Sequence, residues 1–469
     1  MPPLRRYAGR LSAASAPPII EFAARFARTI ILSRLLEPTD LGAAVALGTI
    51  LASCEMLADV GLTQFVMVNV GADRAPAVAA VQQIGIIRGI LLAALILLLA
   101  PWLASLFGAS GHVDSIRWLG IVPLVRSFKN WRTVQIQSEY IYRPEAISIG
   151  GAQVGAAIAV LPAAVWFHDE RAMLVSLIVE AALYVVVSRL ALPRERVAAV
   201  DPAVRRMALT FGLPLMANGI GLIMLAQADR IIVSNLFGLE VLALYSLVVS
   251  LASVPISVLS LILGKVLMTF IVRSRDEPTE ARQASLITVW LPFVTAASYA
   301  LAVGALLDLA VPLLYGQRYQ VTVGLHALVT LMVFSRICRI GPTAILLAHS
   351  QTGHVTAANL ISGLGLITGF VLGIFARRVE AVMLGVLLGD VLSLVAMLKL
   401  TSPRLPARTA LNHLALLTLP AVLAAAGAVA EGGFGLEARV LIVTAGAVAI
   451  GLDIVMVYQR SLAGFLAKQ

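Results

Sequence analysis

Long apolar runs separated by short polar breaks cover nearly the whole chain. The runs are about 20 residues long and do not alternate with a period of two, which is typical of membrane-spanning helices. This pattern predicts an all-α integral membrane protein with about 14 transmembrane helices. We place the spans at 13–34, 41–68, 84–106, 116–137, 145–167, 172–192, 207–236, 241–271, 284–307, 322–348, 355–376, 380–400, 411–430 and 438–458.

Two stretches of the chain, 201 positions apart, resemble each other. Residues 26–45 read FARTIILSRLLEPTDLGAAV, and residues 227–246 read QADRIIVSNLFGLEVLALYS. In both, an apolar helix is predicted to end, a four-residue break follows and a second helix begins. Because internal repeats reveal the architecture of a chain, we predict two pseudo-symmetric six-helix lobes and two appended helices. Their bounds are 1–195, 196–402 and 403–469.

Composition and charge agree with a membrane location. Of the 469 residues, 60% are hydrophobic and 13% are charged, and the mean hydropathy is +0.94, whereas soluble domains have roughly 25% charged residues. Lys and Arg concentrate in the loops that share one side with the N-terminus, most of all in the connector that follows Arg189. Positive loops favour the cytoplasm, so we predict a cytoplasmic N-terminus. The basic N-terminal segment is expected to be a retained first helix.

Charged residues within the first span are candidates for binding a ligand. Glu21, Arg25 and Arg28 are four and three positions apart, so they lie within about 60° of one another on a helix. A charge inside a membrane helix usually faces a cavity or a partner. One interpretation is a cationic wall for an anionic ligand, with Glu21 holding Arg25. The alternative is an amphipathic helix whose end lies in the membrane interface.

Further candidates for ligand binding occur in the seventh, eighth and tenth spans. Arg336 and Arg339 share one face of the tenth span, where they either bind substrate or pair with Asp308 or Asp390. In the seventh span Asn218 and Asp229 are nearly eclipsed, with Arg230 adjacent, and this group is either part of the site or an interfacial anchor. Lys265 ends a serine stripe in the eighth span that either packs against a helix or lines a polar cavity.

Two further patterns have competing interpretations. Glu55 and Asp59 form an i, i+4 carboxylate pair that either binds a coupling cation or proton or neutralises the arginines. Gly365, Gly369 and Gly373 form a GxxxGxxxG run that favours close helix packing.

The sequence lacks the motifs of enzymes and metal sites. It contains no P-loop, no GxSxG elbow and no GxGxxG motif. The six histidines show no metal-ligand spacing, and Cys54 and Cys338 both lie in apolar runs. We therefore expect no catalytic residue, cofactor, metal or disulfide, and no nucleic-acid partner.

Three segments resemble bacterial polysaccharide flippases of the multidrug/oligosaccharidyl-lipid/polysaccharide exporter superfamily. They are LSRLLEPTDLGAAVALGTILASCEMLADVGLTQ (32–64), EYIYRPEAISIGGAQVGA (139–156) and LTFGLPLMANGIGLIMLAQADRIIVSNLFGLEVLALYSLVVSLASVPI (209–256). The second is similar to the subgroup that exports exopolysaccharides. The resemblance covers at least residues 10–400, and its motifs identify the superfamily better than the substrate.

The resemblance implies a flippase of undecaprenyl-diphosphate-linked oligosaccharides in the bacterial cytoplasmic membrane, with the polysaccharide polymerase and export machinery as further partners. It also implies a basic cavity between lobes that rock in alternating access, with Arg25, Arg28, Arg230 and Arg336 at matching positions. In the second half Asp229 occupies the position equivalent to Arg28, which is a departure from the pattern. The alternatives are a lipid II flippase, a multidrug or cation antiporter of the same superfamily, and a membrane glycan polymerase or ligase.

Overall fold

The structure is a computed structural model that describes most of the chain. The described residues are 3–58, 61–68, 74–139, 141–192, 201–274, 277–404 and the single positions 418, 446, 448, 450 and 453. Within these ranges, side chains are described except at 3–18, 68, 74, 75, 213–226, 278 and 404.

The described part of the chain is almost entirely helical and contains no β-strand. Its α-helices are α1 (Pro3–Leu35), α2 (Pro38–Leu57), α3 (Leu62–Val68), α4 (Arg74–Leu106), α5 (Val113–Leu119), α6 (Ile121–Arg126), α7 (Arg132–Gln135), α8 (Arg143–Phe167), α9 (Arg171–Ala191), α10 (Pro202–Phe237), α11 (Leu239–Arg273), α12 (Pro278–Tyr315), α13 (Val323–Cys338), α14 (Ile340–Ala348), α15 (Thr352–Ala376) and α16 (Val379–Thr401). Short 3₁₀ turns at Ser110–His112, Ile136–Glu139 and Ser402–Arg404 complete the secondary structure.

The all-α membrane architecture is confirmed. Nine helical segments in the described ranges are long and apolar enough to cross a membrane. The number of 14 spans stays a prediction, since the thirteenth and fourteenth predicted spans, 411–430 and 438–458, fall almost wholly outside the described residues.

Two predicted spans, the second and the fourth, are interrupted rather than continuous. The second divides into α2 and α3, and the fourth divides into α5, α6, α7 and a 3₁₀ turn. The tenth comprises α13 and α14, and the backbone stays helical at Arg339 between them. Interrupted backbone at membrane depth has to be buried in protein or line a cavity, because lipid cannot satisfy its hydrogen bonds.

The repeated helix–break–helix pattern is present in both copies, with shorter breaks than predicted. In the first copy α1 ends at Leu35 and α2 begins at Pro38, after a break of two residues. In the second copy Gly238 alone separates α10 from α11, with a φ of +85°. Glycine adopts this backbone region without the steric cost that other residues incur.

Contacts between α-carbons divide the chain into two compact units, Met1–Ala243 and Leu244–Gln469. In the first unit α8 packs along α9, α1 packs on α8, and α10 packs on α2 and α4. In the second unit α15 packs along α16, while α13 packs against α12 and α16. The predicted lobes, 1–195 and 196–402, and the appended region 403–469 stay predictions.

Small residues allow α15 and α16 to approach closely. A Cβ atom on Gly365 would lie 2.6 Å from the carbonyl oxygen of Gly385 and 2.6 Å from the Cα atom of Gly389. A Cβ atom on Gly369 would lie 2.7 Å from the carbonyl oxygen of Val382. Both glycines of the GxxxG run thus contact the backbone of the neighbouring helix, as expected of close packing between membrane helices.

Candidate functional site

The first helix places its two candidate arginines in different surroundings. An Nη2 atom of Arg25 lies 2.7 Å from a carboxylate oxygen of Glu21, one turn earlier, and 58% of the Arg25 side chain is exposed. The side chain of Arg28, three positions later, is only 4% exposed. Glu21 therefore contacts Arg25, as the first interpretation predicts, whereas Arg28 lies within the packed helices.

Arg28 binds three polar side chains on two other helices. Its Nη1 atom donates to Glu180 Oε2 at 2.9 Å and to Ser176 Oγ at 3.2 Å, both on α9. Its Nη2 atom donates to Gln153 Oε1 of α8 at 3.0 Å. A buried charge is tolerated where it is paired and hydrogen-bonded, so these contacts explain how Arg28 is accommodated where α1, α8 and α9 meet.

Arg126, at the end of α6, extends this cluster to two further helices. Its Nη1 atom donates to both carboxylate oxygens of Glu55 on α2, each at 2.8 Å. Its Nη2 atom donates to Glu180 Oε1 at 2.8 Å. Glu180 therefore binds one arginine with each carboxylate oxygen. We call the group formed by Arg28, Glu55, Arg126, Gln153, Ser176 and Glu180 the N-terminal charge network; it contains two arginines and two glutamates.

The second unit contains a similar group centred on Asp390 of α16. Arg336 Nε donates to Asp390 Oδ2 at 2.8 Å, and Arg339 Nη1 donates to Asp390 Oδ1 at 3.1 Å. Arg339 Nη2 donates to Asn359 Oδ1 at 2.7 Å, and Ser362 Oγ donates to Asp390 Oδ1 at 2.7 Å. We call these five residues the C-terminal charge network.

The two arginines of the C-terminal charge network are partly accessible. The side chains of Arg336 and Arg339 are 29% and 17% exposed, while that of Asp390 is 4% exposed. Asp390 was one of the two carboxylates considered from the sequence as a partner for these arginines, and both of them bind it.

The other candidates have separate contacts. Arg230 is half-buried and its Nη1 atom donates to Gln227 Oε1 at 3.0 Å, while the Asp229 carboxylate accepts the backbone N–H of Arg230 at 2.8 Å. Lys265 is exposed on α11. Asp59 lies outside the described residues, and so does the side chain of Asn218.

Sequence reasoning missed the two residues that connect most of the N-terminal charge network, Arg126 and Glu180. Both lie inside predicted spans, 116–137 and 172–192, so a complete survey of intramembrane charges would have found them. Glu55, predicted to bind a coupling ion or to neutralise arginines, contacts Arg126. Among the described residues, no group of three or more His, Cys, Asp and Glu side chains is arranged to hold a metal ion.

Comparison with protein families gives one match that covers most of the chain. The model of a family described as polysaccharide biosynthesis protein matches residues 31–324. This is more than half of the 469 residues. No curated protein matches the chain at a significant level.

Solved structures with the same fold are flippases and transporters. Lipid II flippase MurJ, in an inward closed conformation, has a TM-score of 0.68 at 10% identity over 96% of this chain and 98% of its own. A multidrug resistance MATE family transporter of the MOP superfamily, in an inward-facing conformation, has a TM-score of 0.58 at 14% identity. The eukaryotic MATE transporter AtDTX14 has a TM-score of 0.57 at 15% identity. These last two alignments each cover 87% of this chain and 99% of the other.

Proposed function

Since this chain belongs to the polysaccharide biosynthesis protein family, we propose that it is a flippase for undecaprenyl-diphosphate-linked oligosaccharides in the bacterial cytoplasmic membrane. The observation that carries the proposal is the combination of this family with a fold shared along nearly its full length with a lipid II flippase. Lipid II flippase activity itself is the second candidate, and the structural similarity to a lipid II flippase favours it.

The chemistry of the head group fits the basic residues within the helices. A diphosphate needs donors that stay charged when water is removed, and the planar guanidinium of arginine supplies paired donors of this kind. Arg25 and Lys265 have exposed side chains, and Arg230 is half-buried. We assign contact with the diphosphate to Arg25 and Arg230, which both belong to the first unit; a role for Lys265 stays a prediction. Arg28, Arg336 and Arg339 are less exposed than Arg25, and each binds a carboxylate of another helix, so we assign them to holding helices together.

The proposed transport follows alternating access, the general scheme of secondary transporters. The lipid tail stays in the bilayer while only the charged head group crosses the protein. A diphosphate moving outward travels down an inside-negative membrane potential, which contributes up to about 2.3 kcal/mol per charge per 100 mV. The potential can thus supply part of the driving force without a coupling ion.

The test is flipping of a fluorescent undecaprenyl-diphosphate oligosaccharide in proteoliposomes, read by an impermeant quencher. The Arg25→Gln variant should reduce the initial rate about tenfold or more, because it removes a charge-assisted hydrogen bond of about 1.5–3 kcal/mol. Arg117→Gln is the control, since Arg117 is also exposed and ion-paired within one helix, to Asp114 at 3.0 Å. It should keep the normal rate.

Four outcomes would count against the proposal. Normal flipping by Arg25→Gln would remove Arg25 from the site. Flipping of lipid II in preference to other lipid-linked oligosaccharides would favour the second candidate. Efflux of organic cations without any lipid flipping would identify a multidrug antiporter, and a change in glycan chain length would identify a polymerase.

A further inference from the structure

Each unit contains an arginine–carboxylate pair, and the two pairs have the same placement along the chain. In the first unit Arg126, the last residue of α6, binds Glu180 of α9 at 2.8 Å. In the second unit Arg336, in the last turn of α13, binds Asp390 of α16 at 2.8 Å. Arg126 and Arg336 lie in the fourth predicted span of the first half and the fourth of the second half, respectively.

The spacing of these residues indicates that the two pairs are equivalent by internal repetition. Arg126 and Glu180 are 54 positions apart, as are Arg336 and Asp390. Arg336 therefore lies as far beyond Arg126, 210 positions, as Asp390 lies beyond Glu180. A second pair of basic residues follows the same shift, since Lys129 and Arg339 are also 210 positions apart.

This shift differs from the 201 positions that relate the opening helices of the two halves. The second half therefore has about nine additional residues between its first and fourth helices. An alignment at the fixed offset of 201 positions cannot pair Arg126 with Arg336, whereas the contacts made by the two arginines indicate the correspondence.

Both carboxylates lie about midway along a spanning helix, Glu180 within Arg171–Ala191 and Asp390 within Val379–Thr401. Their side chains are 7% and 4% exposed. An ionised carboxylate at that depth is costly unless an opposite charge neutralises it. The arginines supply that charge at helix C-terminal ends, where the helix dipole also favours a cation.

We propose that Arg126–Glu180 and Arg336–Asp390 are equivalent positioning pairs, each of which holds the helix that carries the arginine against the helix that carries the carboxylate, so that its unit keeps its internal packing during transport. The holding role follows from the contacts alone. The role in transport rests on the proposed flippase function.

The two pairs make different additional contacts. In the first unit Glu180 also binds Arg28, and Arg126 also binds Glu55, so the pair connects α1 and α2 to α6 and α9. In the second unit Asp390 also binds Arg339 and accepts a hydrogen bond from Ser362 of α15. Within each network, removal of the carboxylate leaves an excess of positive charge, and removal of the paired arginine as well reduces that excess.

Two double-mutant comparisons test the holding role by thermal unfolding of the full-length protein in detergent. Glu180→Gln and Asp390→Asn should each lower the Tm by roughly 5–10 °C. Adding Arg126→Gln to the first variant, and Arg336→Gln to the second, should restore about half of the loss. The matched control is the exposed pair Arg117 and Asp114, for which D114N and D114N/R117Q should both stay within about 1 °C of the wild type.

If adding Arg126→Gln to Glu180→Gln, or Arg336→Gln to Asp390→Asn, lowers the Tm further, the inference is overturned. Rescue in one unit without the other would show that the two pairs are not equivalent. These outcomes are read without any transport assay, so they do not depend on whether the flippase function is correct.

Flipping kinetics separate a positioning role from direct contact with substrate. For R336Q/D390N we expect a reduced maximal rate with the apparent KM for lipid-linked oligosaccharide within about twofold of the wild type, because the pair does not touch the head group. The single variant Arg336→Lys, which keeps the charge, should have a higher maximal rate than R336Q/D390N. A KM raised tenfold at an unchanged maximal rate would make Arg336 a substrate ligand and would overturn the positioning role.

Discussion

Arg25 and Arg28 are three positions apart on α1, yet their side chains differ sharply in burial. Arg25 contacts Glu21 and is 58% exposed, whereas Arg28 is 4% exposed and binds Glu180, which is itself 7% exposed. An exposed ion pair within one helix contributes about 0.3–0.5 kcal/mol. Removing one partner of a buried pair typically costs about 3–5 kcal/mol, because the other charge stays buried without compensation.

We therefore expect Arg28→Gln to lower the free energy of unfolding by about 3 kcal/mol or more, and Arg25→Gln to change it by less than about 0.5 kcal/mol. Thermal unfolding in detergent and the amount of protein in the membrane measure both effects. Equal stability of the two variants would show that the contact between Arg28 and Glu180 contributes little to folding.

Glu170 lies between α8 and α9, outside both spanning helices, and its carboxylate accepts a hydrogen bond from Ser115 Oγ at 2.6 Å. His112 Nδ1 lies 2.9 Å from the same oxygen. Burial raises the pKa of this carboxyl, but the hydrogen bonds from Ser115 and His112 outweigh it and hold the pKa below its usual value. A carboxyl whose pKa is lower in the folded state stabilises the protein above its unfolded pKa, and this contribution is lost as the pH falls through the folded pKa.

The Tm should consequently fall as the pH is lowered below about 5, and Glu170→Gln should flatten this decline while lowering the Tm at neutral pH. Asp114→Asn is the control, because the Asp114 side chain is 85% exposed and its loss should leave the acid-side slope unchanged. If the Tm of Glu170→Gln falls with decreasing pH as steeply as the Tm of the wild type, other carboxylates are responsible for the decline.

At the scale of the helices, the contact between α15 and α16 depends on glycine. Gly365→Ala places a methyl group 2.6 Å from backbone atoms of Gly385 and Gly389, so the helices have to separate. We expect a loss of about 1–3 kcal/mol in the free energy of unfolding. Gly353, on the same helix, has no atom within 4 Å of an added Cβ, so Gly353→Ala should be neutral or stabilising by up to about 1 kcal/mol.

Thermal unfolding of the two alanine variants side by side checks this prediction. A Gly365→Ala variant as stable as the wild type would show that α15 and α16 adjust at little cost. Destabilisation by Gly353→Ala of the same size would mean that α15 is sensitive to any substitution rather than to contact with α16.

For the molecule as a whole, the orientation in the membrane is a prediction from loop charges. In a background without Cys54 and Cys338, an Arg377→Cys variant should react with an impermeant thiol reagent in intact cells. Arg377 is exposed in the turn between α15 and α16, which supports its choice as a reporter. An Arg194→Cys variant should react only after permeabilisation. The reverse pattern would place the N-terminus on the outer side.

Sequence patterns predicted the membrane class, the helical architecture, most span positions and the packing role of the glycine run. These features follow from local properties: an apolar stretch of about 20 residues can cross the bilayer only as a helix or in a barrel, wherever its neighbours lie. The interruption of the fourth span was not predicted. A break in a membrane helix is tolerated where other helices bury it, and the hydrophobic pattern of the span itself does not show where those helices pack.

The pairing of the charged residues depended on the packing of helices that are distant in the chain. Arg28 and Arg25 share a helix face in the sequence pattern, but Arg28 binds Glu180, 152 residues further along the chain, because α1 packs on α8 and α8 packs along α9. Arg25 and Arg28 are less than one helical turn apart, so the helical periodicity of the sequence places both on one face of α1. Periodicity alone therefore does not distinguish the exposed arginine from the one that is buried against a carboxylate. The three-dimensional packing therefore determined which basic residues are accessible to a ligand and which hold helices together.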